Sequence, residues 1–176
     1  NGMSYSMRAG KNANSAILVQ IPRSDFDQGH PLDGFQFQKK LEQLGYHEGF
    51  VAPAQNIKDY LNCIPSDKLV IQTSYPRNTI MKDMHAFFSD EVNQAMEEGM
   101  KQFDKKIHGW IENGIMVGLE TRSSSPIKIL RNDNGCSSTI QGLYPCGEGA
   151  GYAGGIVSSA VDGIKQAENY IAQLNR

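Results

Sequence analysis

Apolar positions recur with a helical period through the middle of the chain. Val92, Met96, Met100, Phe103, Ile107 and Ile111 follow one another at steps of four, four, three, four and four. That spacing lays one apolar stripe along a helix, predicted from a Ser89 cap to about Gly109. Asp90 and Glu91 fall in its first turn, where negative charge suits the helix start. Gly99 inside it costs roughly 1 kcal/mol against alanine, which packing must offset. Phe35, Phe37, Leu41 and Leu44 predict a second helix over residues 34–44, with Asp33 as its N-cap and Gly45 as its stop. Ile57, Tyr60 and Leu61 share one side of a short helical stretch that follows Pro53-Ala54-Gln55. A last helix is predicted over residues 156–174.

Other segments read as extended. Ala16-Ile17-Leu18-Val19-Gln20-Ile21 predicts an interior strand, stopped by Pro22. Ile115, Val117 and Leu119 alternate and predict a strand over residues 114–120. Residues 126–130 and 140–145 predict two more, and 69–76 a short one ending at Tyr75-Pro76. Residues 77–89 read as a short helix or turn ahead of Phe87-Phe88, and residues 1–15 as an irregular lead-in. Strands mixed with at least three helices, in no simple βαβ order, predict an α/β or α+β fold.

Composition narrows this only a little. A length of 176 residues suits one ordinary domain, or a medium and a small lobe. With 17 Lys+Arg against 19 Asp+Glu, the formal net charge is −2 and no long run of either sign occurs. Neither nucleic acid nor an anionic membrane is called for. The chain shows no apolar run of membrane-spanning length and no signal peptide, so the expectation is a soluble cytoplasmic protein. Its opening at Asn1-Gly2, without an initiator methionine, leads to the expectation of a fragment of something larger.

Candidate chemistry is sparse by the usual signatures. His30, His47, His85 and His108 show no metal-binding spacing, and the three cysteines (Cys63, Cys136, Cys146) form no CxxC pair, so no metal is expected. Cys146 stands where a strand meets a turn, the place of a hydrolase nucleophile, but the sequence around it is not GxSxG. It reads as a small packing residue at a buried strand end. Ser123, Ser124 and Ser125 are either donors to a ligand or a solvated loop.

The densest signal follows Leu143-Tyr144-Pro145. Glycines at 147, 149, 151, 154 and 155 precede the last predicted helix. Strand, glycine turn and helix together bring backbone N–H groups to a bulky polar ligand. The turn is read as neither GxxxxGK[ST] nor GxGxxG, with no acidic residue in the usual place about 20 residues beyond it, where a dinucleotide fold would hold a ribose. Glu148 is the only charged side chain in the turn. A carboxylate accepts from hydroxyls, so a polyol or ribose-like chain suits it, while an anion suits the N–H groups and the helix start.

The stretch from Gly142 through Pro145-Cys146-Gly147-Glu148-Gly149-Ala150-Gly151 to Gly154-Gly155-Ile156, with Ala160-Val161-Asp162-Gly163 after it, is similar to the closing flavin-binding motif of FAD-dependent dehydrogenases of the NAD(FAD)-utilizing kind. Asn1-Gly2-Met3-Ser4, Lys11-Asn12-Ala13-Asn14-Ser15-Ala16, Pro53-Ala54-Gln55 and Glu120-Thr121-Arg122-Ser123-Ser124-Ser125-Pro126 match the same family. The resemblance implies an oxidoreductase that moves hydride through its flavin, so the chain itself needs no nucleophile. It implies that residues 1–135 belong to an inserted or cap domain and residues 136–176 to the final strand, turn and helix of the FAD-binding domain. It also implies that Gly147, Glu148, Gly149, Gly151, Gly154, Gly155 and Ile156 face the cofactor, with Arg122 and Ser124 on a loop facing flavin or substrate. The segment for the adenosine and pyrophosphate of FAD is missing. A fragment is therefore expected to be inactive alone, with that segment as its partner and an exposed apolar face that invites self-association. The alternatives are a non-enzymatic binding or interaction domain, or a cysteine hydrolase using Cys146.

Overall fold

The structure is a computed structural model that describes residues 6–175; the motif at Asn1-Gly2-Met3-Ser4 lies outside the described residues. Contacts divide the chain into two units. One runs to Ile21 and takes in Lys39–Thr121; the other comprises Pro22–Gln38 and the residues from Arg122 onward. The division falls inside helix α1 (Asp33–Gly45). The fold is mixed α/β. Among the described residues no helix is long and apolar enough to cross a membrane.

The first unit is built on a three-stranded sheet of order β2-β1-β3, with β1 at Ala52–Asn56, β2 at Thr79–Met81 and β3 at Ile115–Val117. β1 pairs parallel to β2 and antiparallel to β3. The central strand, Ala-Pro-Ala-Gln-Asn, has no β-branched residue and no alternation, because every position in it is buried. Pro53 is tolerated because only its carbonyl is needed: it accepts from Gly118 N–H at 3.0 Å. The two polar residues in the strand are fully used. Gln55 Nε2 donates to the Ile64 carbonyl at 2.9 Å and its Oε1 accepts from Met84 N–H at 2.8 Å. Asn56 bonds Asp59, the Lys68 carbonyl and Val70 N–H. These bonds fold residues 57–70 back beside the strand.

α2 (Ile57–Leu61), a 3-10 turn at Met84–Phe87, α3 (Asp90–Asp104) and α4 (Trp110–Asn113) complete this unit. Ile57, Tyr60, Met84, Met96 and Met100 are its buried core, in which methionines fill the irregular space between short elements. Tyr60 satisfies its hydroxyl on Asn93 Oδ1 at 2.8 Å. Burial pushes its phenol well above the ordinary value, and the nearby Glu97 adds to this.

α3 starts as its cap predicts, with Ser89 Oγ accepting from Val92 N–H. It ends sooner than the apolar period does. Lys106 and Ile107 both donate to the Phe103 carbonyl, and Gly109 takes a left-handed φ of 82°. The chain thus turns away, leaving Ile107 exposed, and Asp104 Oδ1 caps Ile111 N–H at 3.0 Å at the new helix. Gly99 has open space where a Cβ would stand. Gly99→Ala is therefore expected to stabilise the unit by about 1 kcal/mol, read as a higher urea midpoint; an unchanged or lower midpoint would contradict the open site.

Residues 16–21 are not a strand. They have no ladder partner among the described residues, and Ile17 and Val19 pack on the core while Leu18 is exposed. The preceding Asn12 donates to the Gln72 carbonyl at 2.7 Å, so the lead-in motif is a tether for residues 72–74. Residues 69–76 and 118–120 likewise carry no ladder, and β3 is shorter than its alternation predicts.

In the second unit Asp33 does not cap α1. Its Oδ2 accepts instead from Gln28 and His30 N–H, at 2.7 and 2.9 Å, closing the loop before the helix. Residues 126–130 and 140–145 are not strands either. One isolated bridge, Arg131 with Ser137, lies between the two segments. The backbone of 126–131 bonds to turns rather than to a neighbouring strand, as at Ile129 N–H to the Ala150 carbonyl, 3.1 Å.

α5 (Ile156–Leu174) has the predicted bounds but is turned inside out. Asp162, Gln166, Asn169 and Gln173 form the face that meets the rest of its unit. Ile156 is 91% exposed, Val157 75%, Ile164 60% and Leu174 66%. One helix in water should do the reverse.

Candidate functional site: the glycine turn and the start of the last helix

The turn over residues 147–155 rests on an extended platform of residues 126–131. Gly147 adopts φ 71° and Gly151 φ 80°, both left-handed. Gly151 has a second reason to lack a side chain, since a Cβ there would lie 2.4 Å from the Ile127 carbonyl oxygen. The turn closes through Gly151 N–H to the Glu148 carbonyl and Tyr152 N–H to the Gly147 carbonyl, 2.9 and 3.1 Å. Ser125 Oγ joins it by donating to the Gly149 carbonyl at 3.2 Å.

Arg131 and Asp162 lock this arrangement. Arg131 Nη2 meets Asp162 Oδ1 at 2.7 Å and Nη1 meets Oδ2 at 3.1 Å, a two-bond pair on largely buried side chains. Nη1 also donates to the Pro145 carbonyl at 2.9 Å, and the guanidinium lies 3.6 Å from the centre of the Tyr152 ring. Gly147 N–H donates to Asp162 Oδ2 at 2.9 Å. The Arg131 guanidinium first, and then this N–H, hold the Asp162 carboxyl down to about 2. Sequence reasoning named neither residue as functional. Their one signal is an acid inside a helix whose charge the local pattern leaves unanswered.

The expected cofactor-facing residues separate into two groups. Gly147 and Gly151 are structural: their N–H groups are committed within the turn and to Asp162, so they do not offer donors to a ligand. Glu148, Gly149, Gly154, Gly155 and Ile156 are exposed along one side. Arg122 and Ser124 are also exposed, while the serine loop touches the turn through Ser125. Gly149, Gly151 and Gly154 fall at GxGxxG spacing, yet no strand leads into them. Cys146 is exposed rather than buried, which overturns its reading as a packing residue. With no strand there, Pro145 and Gly147 turn inward toward Arg131 and Asp162, and the cysteine between them faces out.

The open side has the features of one wall of a ligand site. A Cβ on Gly149 or Gly154 would meet nothing within 4 Å, so a ligand can approach the bare backbone there. The first-turn amides of Ile156 and Val157 have no carbonyl partner inside a helix. Ser158 Oγ accepts Gly155 N–H at 3.1 Å and closes the cap behind them. Ser159 Oγ is buried without a hydrogen-bond partner, on the side chain that a Cβ at Gly147 would meet at 3.6 Å. A carboxylate, open glycine backbone and a helix start fit a ligand carrying both hydroxyls and negative charge.

Residues 1–123 match the family described as "FAD-dependent protein, C-terminal domain-like". The chain belongs to this family. An uncharacterized protein of Clostridium beijerinckii is 42% identical over 180 residues, covering 99% of this chain but 34% of its own length. The chain therefore spans about a third of that relative. The family match takes in the sheet-based unit and ends at residue 123, well ahead of the glycine turn, whereas the similarity to the relative covers 99% of the chain. The domain is thereby related to FAD-dependent oxidoreductases.

Proposed function

We propose that this chain is the part of an FAD-dependent oxidoreductase that lies against the flavin, with residues 1–135 forming the covering portion and residues 136–176 the cofactor-side element. FAD, when bound, supplies the acceptance and donation of hydride. The chain's own residues bind and orient. Glu148 accepts from hydroxyls of the ribityl chain, Gly149 and Gly154 leave room for close approach, and the Ile156 end of α5 presents N–H donors and a positive field to an electron-rich edge of the flavin. Arg122 and Ser124 belong to the loop that faces flavin or substrate.

The observation that carries this reading is the orientation of α5. Its polar face is inside and its apolar face outside, which suits a helix that packs on a further part of a longer protein. The relative's greater length supplies such a part. In that picture α5 joins the segment holding the rest of the cofactor, its N-terminus is aimed by that packing, and the chain alone retains no tight flavin.

The test uses the full-length family protein. Gly154→Ala and Glu148→Gln are expected to weaken flavin retention by about tenfold to a hundredfold, the loss of one charged or backbone contact, with the unfolding midpoint of the apoprotein unchanged. Gly99→Ala, far away in sequence and on α3, serves as the control. Flavin retained equally by all three variants would sink the assignment.

A further inference from the structure

Outside the glycine turn, the first unit gathers three side chains that the sequence scatters. Cys63 follows α2, His85 lies in the 3-10 turn and Glu97 is on α3. One ligand atom from each, a sulfur, a ring nitrogen and a carboxylate oxygen, all lie within 4.8 Å of one another. His85 Nε2 is 3.3 Å from Glu97 Oε1 and 4.0 Å from Cys63 Sγ. Tetrahedral zinc, with bonds of about 2.3 Å to sulfur and about 2.0–2.1 Å to nitrogen and oxygen, has ligand-to-ligand edges of roughly 3.3–3.6 Å. The nitrogen–oxygen edge already has that length, and the sulfur stands a few tenths of an ångström beyond its edge to Nε2.

The surroundings are arranged behind this point. His85 Nδ1 is 3.2 Å from Asp83 Oδ1. With the ring proton on Nδ1 toward that carboxylate, the Nε2 lone pair is left for a metal. The Tyr60 ring stacks on the imidazole at 4.0 Å between centres and 15° between planes, fixing its tilt. Lys101 holds the other oxygen of Glu97, Oε2, at 3.4 Å. Gln55 ties the two ligand-bearing turns together, since its amide spans Ile64, next to Cys63, and Met84, next to His85. An ion pair of His85 with its two carboxylates needs no thiol, yet the thiol is the third vertex.

We propose that Cys63, His85 and Glu97 form a mononuclear binding site for a zinc-class divalent cation, its fourth position open to solvent beside the exposed Cys63. One sulfur, one nitrogen and one oxygen ligand select zinc or cobalt over magnesium or calcium, which take oxygen. On binding, Cys63 Sγ gives its proton to solvent and bonds the metal as thiolate. Asp83 is a positioning residue that acts through His85. Because the ligands come from the end of α2, the 3-10 turn and α3, the ion clips three elements of the unit together.

Cobalt(II) titration of the 176-residue chain tests this. The expected result is one equivalent bound with tetrahedral visible bands and a thiolate-to-cobalt charge-transfer band, both lost on adding zinc. Cys63→Ser, at an exposed position, is expected to abolish the charge-transfer band with an unchanged circular dichroism spectrum, while Cys136→Ser and Cys146→Ser retain it. Asp83→Asn is expected to weaken zinc binding by about 10- to 100-fold. Absence of the charge-transfer band, or its survival in Cys63→Ser, overturns the site; unaltered zinc affinity in Asp83→Asn overturns the positioning role.

Discussion

Arg131→Met is expected to release the glycine turn from its platform, lowering the stability of the second unit by about 3–5 kcal/mol, the usual cost of stripping one partner from a buried ion pair. The substitution strands the Asp162 carboxylate and the Pro145 carbonyl and removes the cation from the Tyr152 ring. Hydrogen exchange reads this locally: the Gly147 and Tyr152 amides should lose protection while those of β1 and α3 keep theirs. Equal protection in the variant would show that the pair is not what holds the turn. Asp162→Asn added to Arg131→Met removes the unpaired charge and should recover part of the loss. The same pair sets an acid response. Asp162 is held down to about 2, below an unfolded value of roughly 3.9, so its contribution is complete above about pH 4 and fades as pH falls toward about 2. Asp162→Asn should flatten that limb of the stability curve.

Gln55→Leu keeps the approximate volume of the central strand's most enclosed side chain but leaves the Ile64 carbonyl and Met84 N–H without their partner. Each buried orphan costs about 1–3 kcal/mol, so a loss of roughly 2–6 kcal/mol is expected as a fall in urea midpoint. The turns bearing Cys63 and His85 lose their common brace at the same time. The variant should therefore also bind cobalt more weakly under conditions where it is still folded. A normal midpoint would mean that water or a shifted backbone replaces the amide, and that the strand does not depend on it.

Helices were legible where capping and period agreed. Ser89 with the stripe from Val92 locates α3, and the apolar run after Gly155 locates α5. Strands were legible poorly. Residues 16–21 have the apolar composition of an interior strand but no ladder partner among the described residues, whereas Ala-Pro-Ala-Gln-Asn has none of that composition and is the strand at the centre. Burial on both faces erases alternation, and the polar side chains of Gln55 and Asn56 are stable inside only because distant backbone groups meet them. The glycine turn was visible as a motif, but its division into structural and open glycines was not. Gly151 is required because Ile127 approaches it, and Gly154 is free because nothing does. The grouping of Cys63, His85 and Glu97 was invisible for a related reason: they have no common spacing, and only the return of the chain around β1 brings them together.

The sequence by itself determined the family of this protein, its longer helices and the presence of a glycine turn ahead of the last one. The helices and the turn are local properties, written in caps, periods and chain entropy. The tertiary structure decided which segment is the sheet, that Arg131 and Asp162 fasten the turn, and which way α5 faces. Those outcomes depend on groups far apart in sequence satisfying one another's buried charge and hydrogen bonds. No window of neighbouring residues contains both partners.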